Sequence, residues 1–416
     1  MIGRPPVALY VHVPFCVSLC PYCDFVVYAG AVARGPKARL AAFTAALLTE
    51  IALRADVADA RFGRPGFVER PALETVYIGG GTPTLLPAES IAAILALVRE
   101  RFGIADGAEV TIESNPGPDE RGDARALVEA GVNRLSLGAQ SFDVGELARL
   151  GRRHSPGDVA DAVALARAAG FGSISLDVLY DVPGQTEASW SATLDAVLAI
   201  APDHVSAYAL TLDDPDAEGL TGPAGDHLPT KPGSRRWRNA AIPDQDEDRA
   251  AAQYALAVER LGAAGYRGYE ISNWARPGHE SRHNLVYWQR RPYEAVGPGA
   301  HAFNGVERRW NAARLDGYLS ALAPARGPDG ASSAPALPPG GAELVDETTA
   351  ASEAVILALR LDTGLLLADA EAGPVAPHLT WATDAGLLET VDADPPRVHL
   401  TTRGRLLSNE LFSRLV

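Results

Sequence analysis

Six short runs of β-branched or apolar residues recur along the first half of the chain, with helically spaced apolar positions between them. The strand-like runs are 7–13, 75–78, 109–112, 134–137, 173–179 and 204–210. The helical patterns cover 38–54, 88–101, 119–130, 158–169 and 189–199. Gly131 and Gly170 stand where a left-handed residue commonly ends a helix. Strands alternating with helices predict an α/β fold, a parallel sheet joined by right-handed crossovers. Such a sheet either lies open or curls into a partial (βα)6 barrel. Ligands gather at the C-terminal ends of its strands. Three unusual segments fall there: 79–83, 113–116 and 138–142.

The second half is less regular. Residues 213–247 are polar and rich in Pro and Gly, which predicts a long, partly disordered loop. Residues 323–342 read as a linker. Between them, 266–318 is dense in aromatics and His. After the linker the pattern is helix, helix, two short strands and helix, with a turn at Asp394-Pro395-Pro396. That order suggests a small accessory domain of winged-helix type. The expected division is therefore a core barrel at 1–235, a barrel-associated segment at 236–322 and an accessory domain at 343–416.

Composition narrows the functional classes. Of 416 residues, 47% are hydrophobic and 21% charged, as in soluble globular proteins. No apolar run is long enough to cross a bilayer, and residues 1–6 do not read as a signal peptide, so a cytoplasmic location is expected. A net charge of −15 argues against a nucleic-acid partner, which requires a basic face. The three cysteines lie within eight residues, so no disulfide framework is available and metal or redox chemistry is indicated.

Cys16, Cys20 and Cys23 are spaced C-x3-C-x2-C. Three thiolates on one loop can ligate three irons of a [4Fe–4S] cubane and leave the fourth open. An amine and a carboxylate on one ligand can chelate that iron, and S-adenosylmethionine carries both. Three other readings compete. A structural zinc site wants a fourth ligand, and His12 on the first strand is poorly placed for it. Cys20-Pro-Tyr-Cys23 resembles a glutaredoxin dithiol, which leaves Cys16 without a role. Inert buried cysteines rarely cluster in this way.

Gly79-Gly80-Gly81-Thr82-Pro83 lacks the Lys of a phosphate-binding loop. Directly after a strand, its bare backbone can approach a ligand closely, or simply turn. Glu113 ends a strand, where its carboxylate suits ribose hydroxyls or a helix N-terminus. Gln140, Arg152 and Asp177 also sit at or just past strand ends. Together they make a plausible polar cage for a charged ligand.

The cysteine spacing, with Tyr22 directly before the last thiol, resembles the radical S-adenosylmethionine superfamily, whose fold is a partial (βα)6 barrel. Residues 10–25, 79–83, 113–116, 137–142, 176–186 and 269–288 together resemble its coproporphyrinogen oxidase-like group, and within that group the heme chaperone family HemW. The resemblance implies cofactor-binding roles for Tyr10, Gly80, Gly81, Thr82, Glu113, Gln140, Arg152 and Asp177. Asp181 departs from the Gly usual in the Tyr-Gly-Leu-Pro-Gly-Gln segment, which puts the local loop shape in question. His283-Asn284-Leu285-Val286-Tyr287-Trp288 matches the HNxxYW motif linked with heme in that family. A His can ligate heme iron while Tyr and Trp offer flat faces, although a loop His beside core aromatics would look the same.

The implied function is a chaperone that binds a [4Fe–4S] cluster, S-adenosylmethionine and heme, and passes heme to apo-hemoproteins, with peripheral contact at membrane hemoproteins also open. The rival is the oxygen-independent coproporphyrinogen III dehydrogenase. That enzyme carries a further cysteine where this chain has Phe25, and a longer arm than the nine residues before Tyr10. A glutaredoxin-like dithiol reductase is the third reading.

Overall fold

All six expected strands form. They are β1 (Ala8–Val13), β2 (Leu73–Gly80), β3 (Ile104–Ser114), β4 (Arg134–Gln140), β5 (Ser173–Tyr180) and β6 (His204–Ala209). They lie side by side in sequence order, every pair parallel. Six helices fill the five connections, two of them between β4 and β5: α1 (Leu40–Phe62), α2 (Ala88–Arg101), α3 (Ala124–Ala130), α4 (Val144–Arg149), α5 (Pro156–Ala169) and α6 (Glu187–Ile200). The computed structural model describes all residues except 1–2, 36–37, 66–69, 213–215, 327–331, 373 and 392.

Sequential strand order with right-handed crossovers puts the helices on one side of the sheet, where α1, α2, α3 and α5 pack in a row. Side chains of each strand therefore face two different environments. Val11, Ile78, Ile112, Leu137, Leu176 and Val205 pack under the helices in the main core. Their neighbours Tyr10, Tyr77, Glu113, Ser136, Asp177 and Ser206 face the lumen. This is strict period-two alternation, apolar outward and polar inward.

The sheet extends at both edges. β7 (Arg267–Gly268) and β8 (Asn273–Ala275) add antiparallel beside β6. β9 (Tyr293–Val296) pairs parallel with β1, followed by antiparallel β10 (His301–Phe303), β11 (Glu307–Asn311) and β12 (Gly340–Leu344). The resulting twelve-stranded sheet runs β12-β11-β10-β9-β1-β2-β3-β4-β5-β6-β8-β7, and among the described residues its two edges do not pair with each other. The barrel is partial.

Several sequence expectations change. Residues 119–123 do not join α3, because the Asp123 carboxylate caps the helix at Arg125 N and Ala126 N. The 213–247 stretch is not all loop. Residues 213–215 lie outside the described part, and the rest contains α7 (Pro232–Ala241) before α8 (Glu247–Ala263) begins. Polar composition hid α7, since one of its buried residues is Arg238. The expected linker, whose residues 327–331 are likewise outside the described part, ends in a strand. A Cβ on Gly341 would fall 2.2 Å from the Trp310 ring, so glycine lets β12 pack flat against β11.

The 343–416 region runs helix, strand, two helices, a hairpin and two short helices: Glu347–Arg360, Leu365–Leu366, Leu367–Ala370, Ala376–Asp384, Leu388–Val391, Arg397–Leu400, Thr402–Leu406 and Ser408–Phe412. Its three strands form a separate sheet, and Leu359, Leu379, Leu388, Val398, Leu400 and Leu411 give it a core of its own. Among the described residues, no helix is long and apolar enough to cross a membrane.

Candidate functional site

The lumen holds a cavity of about 800 Å³. Cys16, Cys20, Tyr22 and Cys23 line it from the loop after β1. Tyr10, Gly80, Gly81, Glu113, Gln140, Arg152 and Asp177 line it from the strands and their C-terminal ends, and His283 from the opposite end. Thr82, also expected to bind the cofactor, is buried behind this wall.

Thr82 acts behind the cysteine loop. Its hydroxyl donates to Cys16 Sγ at 3.5 Å and accepts from Asn115 Nδ2 at 3.0 Å. Arg152 donates to Cys20 Sγ at 3.6 Å and to Gly138 O at 2.6 Å, and is tied as well to Asn115. The loop backbone is held from α7, where Arg238 donates to Tyr22 O at 3.1 Å and Cys23 O at 3.0 Å. All three thiols are free. Burial pushes the Cys16 thiol up to about 11 and Cys23 higher still, so these sulfurs ionise only beside strong positive charge.

Among the described residues, no three metal-binding side chains are close enough to grip a single ion. An iron–sulfur cubane spreads its thiolates wider than one ion does. Three thiols on one loop, two of them receiving hydrogen bonds, therefore fit a [4Fe–4S] cluster better than a zinc ion.

The glycine loop is shaped first by its neighbours. A Cβ on Gly81 would come 2.6 Å from Phe15 O, and on Gly80, at φ +111°, 2.5 Å from the His12 ring. Glycine here lets β2 close against the start of the cysteine loop. Gly80 N then donates to Glu113 Oε2 at 2.8 Å, and the Tyr77 hydroxyl to Oε1 at 2.7 Å. Burial nevertheless raises Glu113 to about 7. Asp177, held by Ser136 at 3.2 Å, is likewise raised by burial.

Gln140 ends β4 at φ +64°, where the register with β5 shifts. A left-handed non-glycine residue costs about 1–2 kcal/mol. Asp181 also sits at φ +55°, which explains why glycine suits that position. Here Arg249 clamps its carboxylate, and its own N–H donates to Gln253 Oε1 at 2.8 Å. Asn115 belongs to the unusual 113–116 segment but has no role assigned there, and Arg238 and Arg249 are not singled out in the sequence. Asn115 had a signal, the polar cluster after β3. The two arginines had none, since their partners lie far along the chain.

At the far end, α9 (Arg282–Trp288) carries the HNxxYW residues. His283 is fully buried. Its Nδ1 meets Thr75 Oγ1 at 2.7 Å and its Nε2 meets the Tyr287 hydroxyl at 2.8 Å. Burial lowers it to about 3. Neither ring nitrogen is open to an iron in this arrangement. Trp288 lies under the Arg360 guanidinium at 4.2 Å, and Arg360 pairs with Glu270 at 2.9 Å. Arg360, Ser408 and Asn409 of the accessory region thus form part of the floor of the lumen.

Comparison with known proteins agrees with this fold. The Radical SAM superfamily pattern matches residues 10–197. A heme chaperone HemW of Mycobacterium tuberculosis (strain ATCC 25618 / H37Rv) is 38% identical over 411 residues, covering 99% of this chain and 95% of that protein. HemW of Escherichia coli (strain K12) is 36% identical over 303 residues, 72% of this chain and 71% of that one. Among solved structures, the radical SAM coproporphyrinogen III oxidase HemN of Escherichia coli shares the fold, with a TM-score of 0.75 at 23% identity over 99% of this chain and 90% of that chain. The chain belongs to the radical SAM superfamily and, within it, to the HemW family of heme chaperones.

Proposed function

We propose that the protein holds a [4Fe–4S] cluster on Cys16, Cys20 and Cys23, binds S-adenosylmethionine in the lumen beside it, and carries heme to apo-hemoproteins. The carrying observation is the match to heme chaperones along nearly the whole chain. When bound, the cluster supplies one iron without a protein ligand, open to an amine and a carboxylate. The chain's own groups supply the rest. Ionised Glu113, held by Tyr77 and Gly80, accepts from ribose hydroxyls. Gln140 and Asp177 offer polar contacts along the same wall, and Arg152 sets positive charge beside Cys20. Tyr10 and Tyr22 give the cavity aromatic walls. Free thiols suit a reducing compartment, so the cytoplasm is the proposed location.

Phe25 supports the chaperone over the dehydrogenase. It follows the cysteine loop where the sister enzyme's further thiol would stand, and it is 63% exposed. The test is anaerobic reconstitution followed by separate titrations with hemin and coproporphyrinogen III. Hemin should be taken up with a shifted Soret band, and coproporphyrinogen III should not be decarboxylated with reductant and S-adenosylmethionine present. Turnover of that substrate would transfer the assignment to the dehydrogenase.

A further inference from the structure

The protein has nine histidines, and an iron ligand must offer a ring nitrogen with an open lone pair. Most do not. His12 is held by the Tyr10 hydroxyl at 3.0 Å and Val26 O at 2.8 Å, and His204 by Ser175 at 2.8 Å and Tyr269 at 2.9 Å. His283 is saturated in the same way, and His399 lies between Asp362 O and Glu389. His154 is buried on Ala139 O.

His227 and His301 differ from these because they share one carboxylate. Asp226, 13% exposed, meets His227 Nδ1 at 3.0 Å through Oδ1 and His301 Nε2 at 2.7 Å through Oδ2. Each imidazole donates into Asp226, so its other nitrogen carries the lone pair. Neither His227 Nε2 nor His301 Nδ1 has a hydrogen-bond partner among the described residues. A carboxylate behind an imidazole fixes its tautomer and raises its basicity, the arrangement found behind metal-bound histidines.

His301 is the better placed of the two. It opens β10 and is cross-strand partner to Trp310, whose ring stacks on it at 6.1 Å and 23°. The Trp310 indole is fixed by donating to Ala224 O at 3.0 Å. The His301 side chain is 44% exposed, against 30% for His227. The surroundings adjoin the cysteine loop. A Cβ on Gly299 would touch both Val26 and Asp226 O, and Val26 directly follows exposed Phe25. An imidazole on a strand and an indole face thus stand together close to the segment that follows the cluster loop.

We propose that His301 Nδ1 is the axial ligand to heme iron, oriented by Asp226, and that His283 ties the lumen floor together and does not ligate iron. This rests on the heme-binding reading above. The full-length reconstituted protein is titrated with hemin and followed by its optical spectrum. His301→Ala should weaken binding at least tenfold and shift the Soret band, and added imidazole should restore the original spectrum. His301→Gln, which keeps a polar side chain on the strand, should behave alike. Asp226→Asn should weaken binding about 10–100-fold while the spectrum keeps its histidine signature. His283→Ala should lower the melting temperature and leave the heme spectrum unchanged. Unaltered affinity and spectrum in His301→Ala, or imidazole rescue of His283→Ala instead, would overturn the assignment while heme binding stands. No hemin uptake by the unaltered protein would remove the heme reading itself, and this assignment with it.

Discussion

Glu113 shows how far one carboxylate can be read from each level. Its position at a strand end was legible, and a ribose role followed from it. The two hydrogen bonds from Tyr77 and Gly80 were not, because they depend on β2 and β3 lying in register. Nor was the consequence of burial, a carboxyl raised to about 7. If the ionised form receives ribose hydroxyls, S-adenosylmethionine should bind more tightly as pH rises, up to about tenfold per unit below pH 7, and then level off. Glu113→Gln should bind weakly with no such slope. Equilibrium binding between about pH 5.5 and 8.5 checks this, and a flat profile for the unaltered protein would remove Glu113 from that role. Asp181 gives the complementary lesson. The sequence flagged it as a departure from glycine, but only the structure shows Arg249 holding an aspartate at a left-handed position.

At the scale of elements, the strands and helices of the barrel were the legible part. Their period-two and 3.6-residue patterns are local, and α2 runs over the residues expected of it. What local pattern could not reveal is α7, a polar helix whose buried face is built around an arginine. Arg238 holds the carbonyls of Tyr22 and Cys23, each a charged hydrogen bond worth about 1.5–3 kcal/mol. Arg238→Met keeps the bulk and removes those donors. The cysteine loop should then hold its iron less firmly, with faster loss of the cluster's visible absorption under a chelator. Cluster loss at the unaltered rate would show that α7 merely covers the loop. The HNxxYW residues mark the same limit. The motif was visible, but the partner that saturates His283 from β2, Thr75, lies some two hundred residues away in sequence.

Across the whole molecule, buried imidazoles set the response to acid. His12 and His154 are lowered to about 4 and His283 to about 3, each chiefly by burial. Folded, they stay neutral where the unfolded chain would protonate them, so the unfolded chain binds more protons below pH 6.5. Their contribution to stability is complete above pH 6.5 and is lost as pH falls toward 4 and then 3. Glu113 works the other way, holding a proton in the folded state between about 4.5 and 7, so its share falls as pH rises through that window. Asp177 and Asp181, raised by burial, act in the same direction as Glu113, while His204 and His301, lowered by burial, act with the other imidazoles. Five imidazoles outweigh three carboxyls. The urea midpoint should therefore be lower at pH 5 than at pH 7, and an equal or higher midpoint at pH 5 would contradict this account.

The two-faced strands carry a genetic consequence. In β2 to β5 each residue answers either to the helices behind or to the ligand in front. Losing a single codon inside one of them would turn every following side chain through the sheet, bringing Ile112 into the lumen and Glu113 under the helices. Fold and site would fail together. In-frame length changes in this gene should therefore survive in its connecting loops and be purged from the barrel strands, even where no ligand-binding residue is itself replaced.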